Sequence, residues 1–403
     1  MPAGHAGRRW NVVHLHNFSV DQCLKCSTCN TVCPVYAVNE KYPGPKFLGP
    51  ETARLKKSKP VAHAAADYCT GCRQCELVCP NGVPITHLAQ EAKNWGKKQK
   101  GIPLRDWILG HNQWVSSLAS RVAPLTNLVL GLKLVRRLGE RTLGLKNRPF
   151  PTYHRPFSFR HKGVRNAERK VAFFTGCYGR YNGTGVAQSV VSVLEKCGVE
   201  VVVPPQKCCG VPMLSNGLIE EAKNNAVFNL KVLHELVEQG FQVVTSCPSC
   251  ALSLKHDYAL HFNLPQAAQV AAHVYDISEF LWHHGLLQEQ ELKPLKKRFF
   301  YHQPCHTKAQ GMGSPAKDLL SLIPELELAV REQKCCGQAG TYGFKKEKYD
   351  TSWAIASPLF QDVAACRVEG IVTECGMCSL QLAHGTGKNV FHPMEILDQS
   401  LKG

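Results

Sequence analysis

Cys23-Leu24-Lys25-Cys26-Ser27-Thr28-Cys29-Asn30-Thr31-Val32-Cys33-Pro34 sets three cysteines at steps of three residues, a fourth at a step of four, and a proline after it. The spacing returns in Cys69, Cys72, Cys75, Cys79 and Pro80. A tight loop of this kind aims three thiolates at the corners of one [4Fe–4S] cube, and the proline fixes φ and closes the loop. In paired runs the fourth cysteine serves the other cluster. The expected ligand sets are therefore Cys23, Cys26, Cys29 and Cys79 for one cluster, and Cys69, Cys72, Cys75 and Cys33 for the other. Zinc is the alternative, but a closed tetrahedron of four ligands has no use for a doubled eight-cysteine pattern.

Working outward, a second kind of array fills the rest of the chain. It reads Cys177, Cys208-Cys209-Gly210, Cys247 and Cys250, then again Cys305, Cys335-Cys336-Gly337, Cys375 and Cys378. The two copies are offset by 127 or 128 residues throughout, which marks an internal repeat. Short apolar runs precede the cysteines: Val171–Phe174, Val199–Val203 and Phe241–Val244, then Phe299–Tyr301, Leu326–Val330 and Ile371–Val372. They read as buried strands. Helical patterns follow at Thr184–Lys196, Ile219–Glu238 and Ser352–Arg367. Each repeat should be a small three-layer α/β unit with a mostly parallel sheet. Ligands gather at the carboxyl ends of such strands, near helix N-termini that favour anions, so the cysteines should converge there.

Adjacent cysteines point apart in an extended chain. Both reach one centre only through a sharp turn, which Gly210 and Gly337 permit. Five thiolates exceed what one cube needs. Either one bridges two irons in an opened, non-cubane cluster, or one is spare for substrate chemistry. A structural zinc and a redox-active thiol pair are the other readings. Of the twenty cysteines, Cys197 and Cys366 alone lie outside the arrays, and both read as small buried hydrophobes.

The fold class that follows is α+β and α/β: an α-helical, ferredoxin-type two-cluster domain over residues 17–100, then two tandem α/β repeats over 169–292 and 293–403. Residues 101–168 hold no cysteine and form a basic amphipathic linker. No apolar run is long enough to cross a membrane, and residues 1–20 carry His5, Arg8, Arg9, His14 and His16 with no long apolar stretch, which argues against a secretory signal. Twenty cysteines without export point to a reducing compartment and metal ligation rather than disulfides.

Charge is unevenly placed. Residues 1–170 carry 28 Lys and Arg against 9 Asp and Glu, a net of +19, whereas the remainder nets −2. An anionic partner is implied: a lipid surface, an acidic protein or nucleic acid. Thiolate-bound clusters are themselves anionic and account for part of the bias. Within the linker, Leu125, Leu128, Val129, Leu132 and Val135 share one helical face, Pro124 suits the first turn, and Lys133, Arg136, Arg137 and Arg141 crowd the end. Such a helix suits an anionic membrane surface, with Trp107 and Trp114 as interfacial anchors. Packing on the repeats is the plainer reading.

Other signals are weak. Gly311, Gly313 and Ala316 match a dinucleotide fingerprint only on paper, because they follow the Cys305 loop and include Pro315. No other glycine loop offers a flavin or NAD site, so the chain is not expected to oxidise a substrate itself. His302 and His306 flank Cys305 and either tune or replace a ligand or bond locally. Tyr301 and Tyr342 read first as core.

A ferredoxin pair joined to two Cys-Cys-Gly repeats resembles the iron–sulfur subunits of membrane-linked dehydrogenases and of heterodisulfide reductases. Tyr42-Pro43-Gly44-Pro45-Lys46 and Cys335-Cys336-Gly337-Gln338-Ala339-Gly340-Thr341-Tyr342-Gly343-Phe344-Lys345-Lys346-Glu347 resemble the family of C subunits of anaerobic glycerol-3-phosphate dehydrogenase. The likeness runs from about residue 17 to the end. It implies a non-catalytic electron-transfer role: electrons from a flavin-containing A subunit, through a B subunit, to membrane quinone, at the cytoplasmic face of the membrane, with no nucleic acid. In the heterodisulfide reductases the Cys-Cys-Gly sites hold non-cubane four-iron clusters, and all five matching cysteines stand in both repeats here. Lactate- and glycolate-oxidising systems have similar subunits, so the donor rests on the two quoted segments. A catalytic, disulfide-cleaving role is the alternative.

Overall fold

A computed structural model describes residues 19–55, 64–159, 167–288, 290–332 and 334–402; the reading of residues 1–18 lies outside them. In the first repeat, β1 (Lys170–Phe173), β2 (Glu200–Val202), β3 (Gln242–Thr245) and β4 (Val274–Asp276) form one parallel sheet in the order β2-β1-β3-β4. The second repeats it with β5 (Lys297–Tyr301), β6 (Leu326–Ala329), β7 (Gly370–Val372) and β8 (Val390–Phe391), ordered β6-β5-β7-β8. Central strands lie between layers, so Val171, Ala172 and Phe173, or Phe299, Phe300 and Tyr301, are all buried instead of alternating. The edge strands β4 and β8 escape the sequence reading because three and two residues show no apolar period.

Two helices appear at the predicted bounds, Thr184–Lys196 and Ile219–Glu238. The third starts earlier than expected and spans Lys346–Ala365, with Pro358 inside it. The repeats exchange partners: Thr184–Lys196 packs on the last helix of the second repeat, Pro393–Ser400, while Pro315–Leu320 packs on Ile277–His283 of the first. Both last helices open with a capping box, at Asp276 with Glu279 and at His392 with Glu395. One apolar core therefore runs through both repeats, from Val171 and Leu281 to Tyr301 and Leu397.

The ferredoxin-type unit has its own internal symmetry. Short helices Thr28–Thr31 and Gln74–Leu77 precede the fourth cysteine of each run, and each is entered from a left-handed residue, Ser27 or Arg73. A series of helices follows: α1 (Ile85–Lys100), α2 (Leu104–Gly110), α3 (Asn112–Arg121), α4 (Ala123–Gly131) and α5 (Lys133–Thr142). The single basic helix expected around Leu125–Arg141 is thus two. Leu132 is extended, after Gly131, a poor helix former, at the break. Pro124 does sit in the first turn of α4.

A buried ion network joins these pieces. Asp106 on α2 bonds Lys97 of α1, Arg105 at 3.0 Å and Lys345 of the second repeat at 2.9 Å. Asp67 meets Lys348, and Lys93 at 3.7 Å. Asp106 and Lys345 are almost wholly buried. Burial alone would raise the Asp106 carboxyl, but Lys345 and Lys97 outweigh it and hold it below the usual carboxylate range. A carboxyl depressed in the folded state stabilises above its unfolded pKa and loses that contribution as pH falls. Asp106→Asn should therefore destabilise the protein by roughly 3–5 kcal/mol at neutral pH, because buried lysines lose their counter-charge. The gap to the native protein should narrow below about pH 4. Anaerobic denaturant unfolding at both pH values checks this.

Candidate metal centres

The four cysteines Cys23, Cys26, Cys29 and Cys79 line one small cavity, and Cys33, Cys69, Cys72 and Cys75 line a second. Each set of four takes its fourth member from the other run. Ile85, at the start of α1, is a wall of both. Burial pushes the Cys29 thiol up to about 11 and, with Cys72 and Cys69 close by, the Cys33 thiol up to about 12. Thiols this crowded do not ionise together without a cation, which is the condition of a metal-ligand set.

The Tyr42-Pro43-Gly44-Pro45-Lys46 segment belongs to these cavities. Tyr42 is buried against Cys33 and Cys69, and Lys46 Nζ reaches Ser27 Oγ at 3.1 Å beside the first cavity. Gly44 has φ +95°, and a Cβ there would stand 2.8 Å from Asn30 Oδ1.

In both repeats the cysteines converge where the strands end. Cys177 follows β1, Cys208 and Cys209 follow β2, and Cys247 caps the helix Pro248–Leu252 after β3. Cys177 Sγ and Cys208 Sγ are 3.7 Å apart. Hydrogen bonds from Cys208 and Cys250 bring the Cys209 thiol down to about 6, and one from Cys250 brings Cys247 down to about 7. In the second repeat Cys305 opens a helix after β5, Cys335 and Cys336 follow β6, and Cys375 caps Gly376–Thr386. Cys336 Sγ lies 3.2 Å from Cys378 Sγ, and Cys335 and Cys378 lower its thiol.

The two sites differ in what surrounds them. An imidazole nitrogen of buried His302 and the sulfurs of Cys336 and Cys378 lie within 4.8 Å of one another. The first repeat has Phe174 at the equivalent position. His306, in contrast, spends Nδ1 on Ser249 Oγ at 2.8 Å and Nε2 on the Gly71 carbonyl at 3.2 Å, so it joins domains and is no ligand. Tyr301 donates to Glu374 at 2.8 Å inside the core.

Arg148 was not picked out in the sequence. Its guanidinium is buried and donates to Gln338 Oε1 at 2.6 Å, the Gly343 carbonyl at 3.0 Å and Gln381 Oε1 at 2.7 Å. Burial lowers it to about 10, and Cys336 is among the groups that oppose the shift. The Nε of Arg148 and Nδ1 of His302 have no hydrogen-bond partner among the described residues. A buried cation and a spare imidazole nitrogen beside five thiols fit an anionic thiolate-bound iron–sulfur group better than neutral thiols. Against Cys305, Cys335, Cys336 and His302 lies a cavity of about 320 Å³, walled by Val38, Ile355 and Pro358 and flanked by Lys308 and Lys334.

Residues 171–255 and 299–383 match the family model of a cysteine-rich domain, CCG, and residues 19–83 that of a 4Fe-4S dicluster domain. The chain is 35% identical to the C subunit of anaerobic glycerol-3-phosphate dehydrogenase from Escherichia coli (strain K12), covering 96% of this chain and 100% of the relative. It is 26% identical to the B subunit of fumarate reductase (CoM/CoB) from Methanothermobacter marburgensis, over 94% of this chain and 72% of that one. The D subunit of dihydromethanophenazine:CoB–CoM heterodisulfide reductase from Methanosarcina acetivorans is 23% identical, over 93% and 91% of the two chains.

The turn glycines give a graded test of the site geometry. Gly210 and Gly337 both have positive φ, but a Cβ on Gly337 would stand 2.0 Å from the Ser352 carbonyl oxygen, whereas one on Gly210 meets the Ala222 Cβ at 3.3 Å. Gly210→Ala should cost about 1–2 kcal/mol of backbone strain and keep its iron. Gly337→Ala must move backbone and should lose iron from the second repeat. Iron content per chain and unfolding midpoints check the contrast.

Proposed function

Since the chain belongs to the family of anaerobic glycerol-3-phosphate dehydrogenase C subunits, we propose that it is the iron–sulfur electron-transfer subunit of such a dehydrogenase. Glycerol 3-phosphate is oxidised on flavin-bearing A- and B-type partner subunits, and this chain carries the electrons onward to membrane quinone. The single observation that carries the reading is the pair of four-cysteine cavities, one of which adjoins a Cys-Cys-Gly site: Pro34 and Gln74 share a cavity wall with Cys305, Cys335 and Cys336.

The chain's own task is to hold and space its centres. Cys23, Cys26, Cys29 and Cys79 would hold one [4Fe–4S] cluster, and Cys69, Cys72, Cys75 and Cys33 the other. Cys177, Cys208, Cys209, Cys247 and Cys250 would hold a further four-iron group, as would Cys305, Cys335, Cys336, Cys375 and Cys378. The bound clusters supply the one-electron redox chemistry. Thiolate ligation, burial and hydrogen bonds set their potentials. No helix among the described residues is long and apolar enough to cross a membrane. Attachment at the cytoplasmic face would therefore be peripheral, through α2–α5. That segment keeps Trp114, Leu125, Leu128, Leu134 and Leu138 exposed, and its Lys and Arg side chains suit anionic lipid.

A disulfide-cleaving role is the second reading, favoured by the cavity of about 320 Å³ against Cys335 and Cys336. It requires thiol release from a small disulfide under reducing dye, without quinone.

Cluster absorbance in the complex isolated anaerobically from membranes should bleach with glycerol 3-phosphate and recover with a quinone. Bleaching by lactate or glycolate instead would move the chain to a sister complex. Cys209→Ser and Cys336→Ser should each abolish quinone reduction and spare dye reduction at the flavin site. Normal quinone reduction in both variants would sink the electron-transfer role.

A further inference from the structure

The contacts between the four centres do not follow their order in the sequence. The cavity of Cys33, Cys69, Cys72 and Cys75 adjoins the second Cys-Cys-Gly site, not only through Pro34 and Gln74 but through Cys335, which packs into the apolar cluster around Cys33 and Cys69. Gln74 Nε2 reaches the Cys305 carbonyl at 3.5 Å.

The second site in turn abuts the first. His306 bonds Ser249, Gln310 Nε2 donates to the Pro248 carbonyl at 3.4 Å, and His392 Nε2 meets the Ser246 carbonyl at 3.1 Å. All three partners belong to the Cys247–Cys250 loop or its entry. Tyr178, one residue after Cys177, packs against the Cys375 loop, where a Cβ on Gly376 would be 2.1 Å from its ring.

Beyond the first site comes helix α3. Asn112 Nδ2 donates to Cys177 Sγ at 3.4 Å, and Gln113 Oε1 accepts the Cys208 N–H at 2.5 Å. The next residue, Trp114, is 57% exposed, and Leu118 follows it one turn on, also exposed. Eleven of the 21 exposed large hydrophobic residues among the described residues fall between Leu104 and Leu138. Lys133, Arg137 and Arg141 are interleaved with them, and α5 buries none of its residues. Exposed apolar side chains interleaved with cations match an anionic bilayer better than an acidic protein, whose interface would pair the charges but not cover the leucines.

We propose that the first Cys-Cys-Gly site is the exit: α3 seats it against the lipid surface, with the second site between it and the ferredoxin pair. This rests on the quinone reading above. Two electrons leave one at a time through the Cys177 and Cys208 side, and the oxidant is a membrane quinone, which takes them with two protons from water to become the quinol. Asn112 and Gln113 are positioning residues that tie the lipid-facing helix to the thiolates.

The test uses the native complex on phosphatidylglycerol–phosphatidylcholine vesicles that carry a gadolinium-chelating lipid, with the clusters reduced by dithionite. Electron paramagnetic resonance signals are assigned by their loss in Cys209→Ser (first site) and Cys336→Ser (second site). The expected result is a several-fold rise in the microwave power that half-saturates the first-site signal, and a smaller rise for the second. An equal or larger rise for the second site overturns the proposal. Should the serine variants not load iron, brominated lipid gives an independent reading. It should quench tryptophan fluorescence in the native complex and quench it less in Trp114→Phe; no quenching, as when a partner protein covers α3, also overturns it. Dithionite bypasses the donor, so a failure of the glycerol 3-phosphate reading shows in the bleaching experiment and leaves this one readable.

Discussion

Everything in this molecule answers to one electrostatic constraint: thiolates gathered in a buried place repel one another and lose their water, so they stay together only around a cation. Eighteen cysteines are drawn into four such places. Turns and the first turns of short helices carry the cysteines, because three or more sulfurs must face one point. Left-handed Ser27, Arg73, Gly210 and Gly337 provide the turns. Helix N-termini at the strand ends bring partial positive charge to the same points. Folding and iron loading are coupled on this view, since the crowded thiols oppose the fold until metal offsets them.

The repeat supplies two similar frames and the surroundings make them unequal. Phe174 and His302 occupy one position in the two copies. A hydrogen-bond donor beside the thiolates of the second site would stabilise the more negative, reduced state of a cluster bound there, whereas a phenyl ring would not. Arg148, contributed from outside either repeat, adds a buried positive charge to the same site. The first site has instead the neutral amides Asn112 and Gln113. Duplication explains the shared frame, and residues outside the duplicated motif explain the divergence.

Legibility in the sequence followed the range of the interaction. The three-cysteine loops were legible because each is a local object, and the crossed fourth cysteine followed from the pairing of two such runs. The central strands were readable because both faces are buried and the apolar runs are continuous. Edge strands β4 and β8 were too short to carry a period. The linker helix divided at Leu132, where the backbone follows Gly131 and no local apolar rule marks a break. His306 and His302 looked alike beside Cys305, and only tertiary contacts separate a domain tie from a neighbour of the thiolates. Arg148 had no local signal at all, since its partners Gln338, Gly343 and Gln381 are distant in sequence.

The second segment that carried the family resemblance proves to be a seam. Thr341 accepts from Asn216 of the first repeat at 3.0 Å, Phe344 stacks on Phe150 at 5.4 Å, Lys345 meets Asp106, and Glu347 takes a two-pronged bond from Arg105 at 2.8 Å. None of these side chains ligates anything. An electron carrier needs them nonetheless, because transfer between buried centres depends steeply on their separation. A shift of one domain against another would change that separation without touching a single cysteine. Buried, charge-matched seams resist such a shift far better than an apolar interface, which tolerates sliding; a lysine displaced from its carboxylate is left uncompensated in a low-dielectric interior. The ion network around Asp106 is thus as much a part of the electron path as the thiolates it never meets.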